Sequence, residues 1–163
     1  MNARQLRVFV LDDHEVVRRG LREMFDAEPD MQVVGEAATA GGALAEAMRC
    51  RPDVAVLDIR LPDGDGIRVC RDLLSELPDL SCLMLTSFAD DDALVASVLA
   101  GASGYLLKQI RGTELVDAVR TVAAGGSLLD PQATSIVIER LRDGVEDDPF
   151  SVLSAQERRV LEL

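Results

Sequence analysis

Residues 53–66 read DVAVLDIRLPDGDG. An apolar run suited to a fully buried strand stops on Asp58, and a loop carrying Pro62, Gly64 and Gly66 follows at once. Asp, Gly and Pro are turn formers, so the plain reading of Asp58 is a turn aspartate. Whether it does more depends on what the rest of the chain places beside it.

Working outward, strand-like runs recur at LRVFVL (6–11), MQVVGEA (31–37), DVAVLD (53–58), LSCLMLTS (80–87) and SGYLLK (103–108). Each precedes a segment with helical spacing of apolar residues. In the first helix Val16, Val17, Leu21, Met24 and Phe25 form the repeat, and the others fall at about 40–51, 66–77, 90–100 and 112–124. Gly41-Gly42 weakens the start of the second helix. Five strand–helix units in alternation predict an α/β fold with a parallel sheet covered on both faces. Past Gly125-Gly126 a further helix is expected from Asp130-Pro131 to about Arg142, with Ala133, Val137 and Leu141 on one stripe. DGVEDDP (143–149) reads as an acidic linker, and Ser154 with Glu157 has capping-box spacing at the start of another helix.

The 163 residues suffice for one well-buried domain and a remainder, with 48% hydrophobic and 28% charged residues. No apolar run approaches the roughly 18 residues of a membrane helix, and the first residues lack a signal-peptide pattern, so a cytoplasmic protein without membrane contact is expected. A net charge of −12 repels nucleic acid at the level of the whole chain. Cys50, Cys70 and Cys82 lack CxxC spacing and are expected to be reduced and mostly buried. The single histidine, His14, reads as solvated rather than as a base or metal ligand.

The strand ends carry the chemistry. The first ends in Asp12-Asp13, the third in Asp58, the fourth in Thr86-Ser87 and the fifth in Lys108. In a parallel sheet these ends share one edge, and ligands bind where strand order reverses. In the order 2-1-3-4-5 the reversal falls between the first and third strands, which hold the three aspartates. Clustered carboxylates need a cation or a raised pKa. Lys108 supplies one charge, and oxygen-rich ligation suits Mg²⁺, or alternatively Mn²⁺. A metal, a lysine and the Thr86 hydroxyl together would receive a phosphoryl group, with Asp58 as nucleophile. Each residue alone has a plainer reading. Asp12 and Asp13 could cap the first helix, Lys108 could be a solvated loop lysine and Thr86 an ordinary strand residue. Coincidence at four strand ends is harder to accept.

The pattern of Asp12-Asp13, Asp58, Thr86 and Lys108 resembles the receiver domain of two-component response regulators, over residues 6 to about 124. The segment leading to LSAQERRVLEL (153–163) resembles the opening of the LuxR-type helix-turn-helix domain of the NarL/FixJ subfamily. The resemblance implies a flavodoxin-like (βα)5 receiver over 1–124, a linker over 125–150 with a helix near 131–142, and the truncated start of a DNA-binding domain over 151–163. It implies a regulator of transcription rather than an enzyme, phosphorylated on Asp58 by a sensor histidine kinase. It also implies Mg²⁺ held by Asp13, Asp58 and the backbone carbonyl of Arg60, with Asp12 acting through water. Lys108 would pair with the phosphoryl group, Thr86 would move toward it, and Tyr105 would follow as the switch aromatic. A homodimer is expected. DNA is expected as a partner of the full-length protein and not of this chain, since the recognition helix would lie beyond residue 163. Many receivers have proline after this lysine, preceded by a cis bond. Gln109 stands here, which puts the local loop geometry in question. Arg60 and Phe88, two residues past Asp58 and Thr86, are candidates for tuning water access.

Rival classes fit less well. A haloacid dehalogenase-type phosphatase needs a second aspartate where Arg60 stands. A dinucleotide site needs a glycine-rich turn where Asp-Asp-His-Glu stands. An EF-hand loop is broken by Ile67 and Arg68. The alternative that remains is a receiver-like dimerisation or interaction module whose phosphorylation is vestigial.

Overall fold

The structure is a computed structural model and describes residues 5–88, 90–128 and 135–142. The chain divides into two units, residues 1–128 and 129–163.

The first unit alternates strand and helix: β1 (Leu6–Leu11), α1 (Glu15–Asp26), β2 (Met31–Ala37), α2 (Ala40–Cys50), β3 (Val54–Asp58), α3 (Gly66–Glu76), β4 (Ser81–Thr86), α4 (Asp91–Leu99), β5 (Gly104–Leu107) and α5 (Gly112–Ala123). Between β3 and α3, Arg60–Leu61 pairs antiparallel with Gly64–Asp65 in a short ribbon. The five long strands are parallel, in the order β2-β1-β3-β4-β5. This is the expected reversal, with β1 and β3 side by side at the centre.

Side-chain alternation splits the core into two layers. Phe9, Leu11, Ala55, Leu57, Cys82 and Met84 face one side of the sheet and meet Ala43, Ala47 and Cys50 of α2 and Ile67, Cys70 and Leu73 of α3. Val8, Val10, Val54, Val56, Leu83 and Leu85 face the other and meet Leu21 and Phe25 of α1 with Leu115, Val116, Val119 and Val122 of α5. Because β1, β3 and β4 are covered on both faces, they carry continuous apolar runs. All three cysteines are free and buried. Among the described residues, no helix is long and apolar enough to cross a membrane.

One expectation about α1 is corrected. Val16 is 82% exposed and does not belong to the buried stripe. Residue 16 lies about 100° around the helix from residue 17, so both cannot share the face on which Leu21 and Phe25 lie. The N-cap is His14 and makes no side-chain capping bond, so neither Asp12 nor Asp13 caps α1. Helix α2 starts at Ala40 despite Gly41-Gly42. Thr39 accepts from the Gly42 N–H, and the Asp63 carboxylate reaches across from the ribbon turn to the Ala40 and Gly41 N–H groups at 2.8 and 3.0 Å. These side chains satisfy N–H groups that the first turn leaves open.

In the second unit residues 135–142 are helical, with Val137 buried and Ile138 and Leu141 exposed. Ala133, the Asp130-Pro131 start, the 143–149 linker and the 153–163 helix lie outside the described residues.

Candidate functional site

The site is assembled at the carboxyl edge of the sheet, where β1, β3, β4 and β5 end. Asp58 closes β3 in register with Leu85 of β4 and is 7% exposed. Directly behind it Gly66 opens α3, donating its N–H to the Ile59 carbonyl at 2.7 Å. A Cβ on Gly66 would stand 1.8 Å from the Asp58 carbonyl oxygen, so this approach admits only glycine. Asp65 caps α3 by accepting from the Ile67 N–H at 2.8 Å. The loop that looked like a turn is therefore a braced connection that fixes Asp58.

Asp12 follows β1 and is almost fully buried. Its Oδ1 accepts from the His14 backbone N–H at 2.9 Å, and its Oδ2 accepts from Lys108 Nζ at 2.7 Å. The same ammonium donates to Asp58 Oδ2 at 3.2 Å. Lys108 is held in place by its own backbone N–H, which donates to the Thr86 carbonyl at 2.7 Å. The described peptide bonds are all trans, including Lys108–Gln109.

The electrostatics follow from crowding. Burial, and then the neighbouring Asp12 charge, raise the Asp58 pKa from its ordinary value against the opposing pull of Lys108. Burial alone would lower the Lys108 pKa, but the Asp12 hydrogen bond and the charges of Asp58 and Asp12 leave it raised, so the ammonium stays charged. One lysine offsets two buried carboxylates and leaves Asp13 unanswered. Asp13 Oδ1 is shielded from solvent and has no hydrogen-bond partner. A buried acceptor in that state is costly unless a cation meets it. One ligand atom each from Asp12, Asp13, His14 and Asp58 lies within 4.8 Å of the others. Carboxylate oxygens around an unsatisfied one fit a hard divalent ion such as Mg²⁺. Asp13 has the open oxygen, whereas both oxygens of Asp12 are already engaged.

The expected residues converge. His14 is 65% exposed, as a solvated histidine should be, and it also stands beside the acids. Its Nδ1 lies 3.1 Å from Asp12 Oδ1 and 3.2 Å from Asp13 Oδ1. Thr86 is buried at the end of β4, and its Oγ1 accepts from the Phe88 N–H at 3.4 Å. A cavity of about 100 Å³ opens beside Asp58, lined by His14, Arg60, Thr86, Ser87, Phe88 and Lys108. It has room for one small oxyanion. The Arg60 guanidinium lies 4.8 Å over the centre of the Phe88 ring, a cation–π contact that roofs this cavity. Tyr105 on β5 is half-buried, and its hydroxyl shares one proton between the Phe88 and Asp90 carbonyls at 3.3 and 3.4 Å. It is thus tied to the loop that leaves Thr86. Arg60 and Phe88 stand out in the sequence by their matched places after Asp58 and Thr86, whereas the Asp63 cap has no spacing signal, because it joins residues more than twenty positions apart.

Residues 8–120 match the family described as response regulator receiver domain. The chain is 54% identical over 159 residues to the DNA-binding transcriptional activator DevR/DosR of Mycobacterium tuberculosis, covering 97% of this chain and 73% of that protein. It is 36% identical over 157 residues to the transcriptional regulatory protein LiaR of Bacillus subtilis, covering 96% and 74%. Among solved structures, a LuxR-family two-component response regulator from Aurantimonas superposes with a TM-score of 0.75 at 32% identity, covering 83% of this chain and 97% of that one. The receiver domain of the putative response regulator NarL from Mycobacterium tuberculosis gives 0.72 at 33%, covering 76% and 99%.

Proposed function

Because the chain belongs to the response regulator receiver family, we propose that it takes up a phosphoryl group on Asp58 and changes state in response. The protein is a phosphorelay response regulator that acts on transcription, in keeping with its regulator relatives. In the proposed reaction an Asp58 carboxylate oxygen attacks the phosphorus of a phosphohistidine on a sensor kinase. The P–N bond breaks, the imidazole leaves, and an acyl phosphate remains on Asp58.

The residues divide the work. Burial beside Asp12 keeps Asp58 poorly solvated, and Lys108 Nζ, already 3.2 Å from its oxygen, neutralises charge on the arriving group. Thr86 Oγ1 turns its hydroxyl from the loop toward a phosphoryl oxygen. The Asp58 and Asp13 carboxylates and the Arg60 backbone carbonyl would hold Mg²⁺, with Asp12 reaching it through water. When bound, the ion supplies positive charge to the transferred oxygens. Tyr105, anchored to the Phe88 and Asp90 carbonyls, follows Thr86 as the loop moves. One new dianionic group biases a two-state surface. The Arg60–Phe88 roof governs water entry and so the lifetime of the phosphate.

The receiver spans 1–124, a linker with a helix near 131–142 follows, and 151–163 begin a LuxR-type domain. Partners are a sensor kinase and a second copy of the chain, while DNA is met by the full-length protein. The observation that carries the proposal is the Lys108 bridge between Asp12 and Asp58 beside the unsatisfied Asp13 oxygen. The test is incubation with Mg²⁺ and a small acyl phosphate donor, read by intact mass. The chain should gain one phosphate, and Asp58→Asn should gain none. Equal gain by both, or no gain by the chain while Mg²⁺ also fails to bind, defeats the proposal.

A further inference from the structure

His14 raises a question of proton count. Its Nδ1 stands 3.1 Å from Asp12 Oδ1 and 3.2 Å from Asp13 Oδ1. A ring nitrogen carries at most one proton and can satisfy one of these oxygens. The Asp12 oxygen already accepts the His14 backbone N–H and makes the Nδ1 contact, while Asp13 Oδ1 is left without a hydrogen bond. A proton on Nδ1 leaves the Asp13 oxygen without a hydrogen bond of its own, whereas a shared cation would meet it.

The spacing agrees with that account. Ligands about 2.1 Å from one ion stand about 3.0 Å apart at right angles and about 4.2 Å apart when opposite. Nδ1 lies 3.2 Å from the bare Asp13 oxygen, close to the spacing of two adjacent ligands. His14 itself is placed by the Asp12 carboxylate, which accepts its backbone N–H and turns the chain so that the ring faces the acids.

We infer that His14 Nδ1 is a ligand of the metal site formed by Asp13 and Asp58. This gives the site a nitrogen donor that favours late first-row divalent ions over Mg²⁺. The inference rests on the proposed metal site and deepens it. Imidazole adds little to Mg²⁺, which prefers oxygen, and much to ions from Co²⁺ to Zn²⁺. The chain would therefore accept Mg²⁺ through its carboxylates and bind a scarcer metal more tightly through one added bond.

The experiment titrates the full chain, His14→Ala and Asp13→Asn separately with CoCl₂ and MgCl₂ by calorimetry. The C2 proton of the single histidine is followed by NMR during the cobalt titration. His14 is largely exposed, so its removal leaves the core intact. The inference predicts that His14→Ala loses about tenfold or more in Co²⁺ affinity and stays within about twofold for Mg²⁺. The histidine resonance should shift in step with cobalt occupancy, and Asp13→Asn should weaken both ions. Unchanged Co²⁺ affinity in His14→Ala, or parallel loss for both ions, overturns the role of His14 while leaving the carboxylate site standing. Failure of either ion to bind the unaltered chain, or indifference to Asp13→Asn, overturns the site itself.

Discussion

The two rims of one sheet handle charge in opposite ways. At the amino rim the ions are open to water, and one guanidinium gives each acid around it a hydrogen bond. The Arg120 guanidinium donates to Asp30 at 2.8 and 2.9 Å, to Glu28 at 2.8 Å and to Asp117 at 3.1 Å. The Arg120 hydrogen bond holds Asp30 below its ordinary pKa, and Arg120 itself is pushed up by its acidic neighbours. At the carboxyl rim two buried acids share one lysine, a third has an unanswered oxygen, and Asp58 is raised rather than lowered. The difference teaches where to look for function. Satisfied, solvated pairs tie loops together at little cost or gain, whereas a buried cluster short of positive charge is set up to receive some.

The contrast breaks first at Lys108. Lys108→Ala should slow phosphate uptake from a small acyl phosphate by about 100-fold or more and destabilise the metal-free chain by about 3 kcal/mol, because two buried carboxylates lose their only shared cation. Added Mg²⁺ should restore part of that stability. A rate within a factor of about three of the unaltered chain would show that the lysine is dispensable and the rims alike.

A smaller effect is expected in the melting behaviour of Asp58→Asn without divalent ions. With the Asp58 pKa raised, the native state binds that proton more tightly than the unfolded chain does. The charge therefore costs stability at neutral pH, and the cost fades as pH falls through the raised value into the ordinary carboxylate range. Asp58→Asn should melt on the order of 3 °C higher near pH 7 and lose that advantage towards about pH 4. An advantage that grows in acid would reverse the sign and refute the crowding argument.

The smallest effect belongs to the amino rim. Arg120→Ala should lower the melting temperature by under about 3 °C, and about 1 M salt should erase the difference. A larger loss that survives salt would mean these open pairs matter as much as the buried ones.

Much of this contrast was legible in the residues. The runs at 6–11 and 31–37 match β1 and β2 in full, and the other strands shift by a single residue at their ends. Strands buried on both faces must be unbroken apolar runs, and the polar residue that ends each marks the rim. Asp58 and Thr86 were readable for that reason. Val16 is a false signal, an apolar residue beside Val17 that lies off the buried stripe. The place of His14 beside Asp12 and Asp13 has no signal in the sequence, because the Asp12 hydrogen bond to its backbone N–H appears only in three dimensions. Nothing local announces Asp63 as the partner of α2, since the ribbon that carries it is folded by contacts distant in the chain.

The contact between Gly66 and the Asp58 carbonyl acts as a mechanical stop. With the start of α3 pressed against the back of the acceptor strand, bulk added to the Asp58 carboxylate finds no give on that flank. The cavity beside Asp58 opens instead on the segment leaving β4, with its buried hydroxyl, exposed Phe88 and tethered phenol. A rigid backstop of this kind makes a small chemical addition push one way, and so lets a single group carry a message.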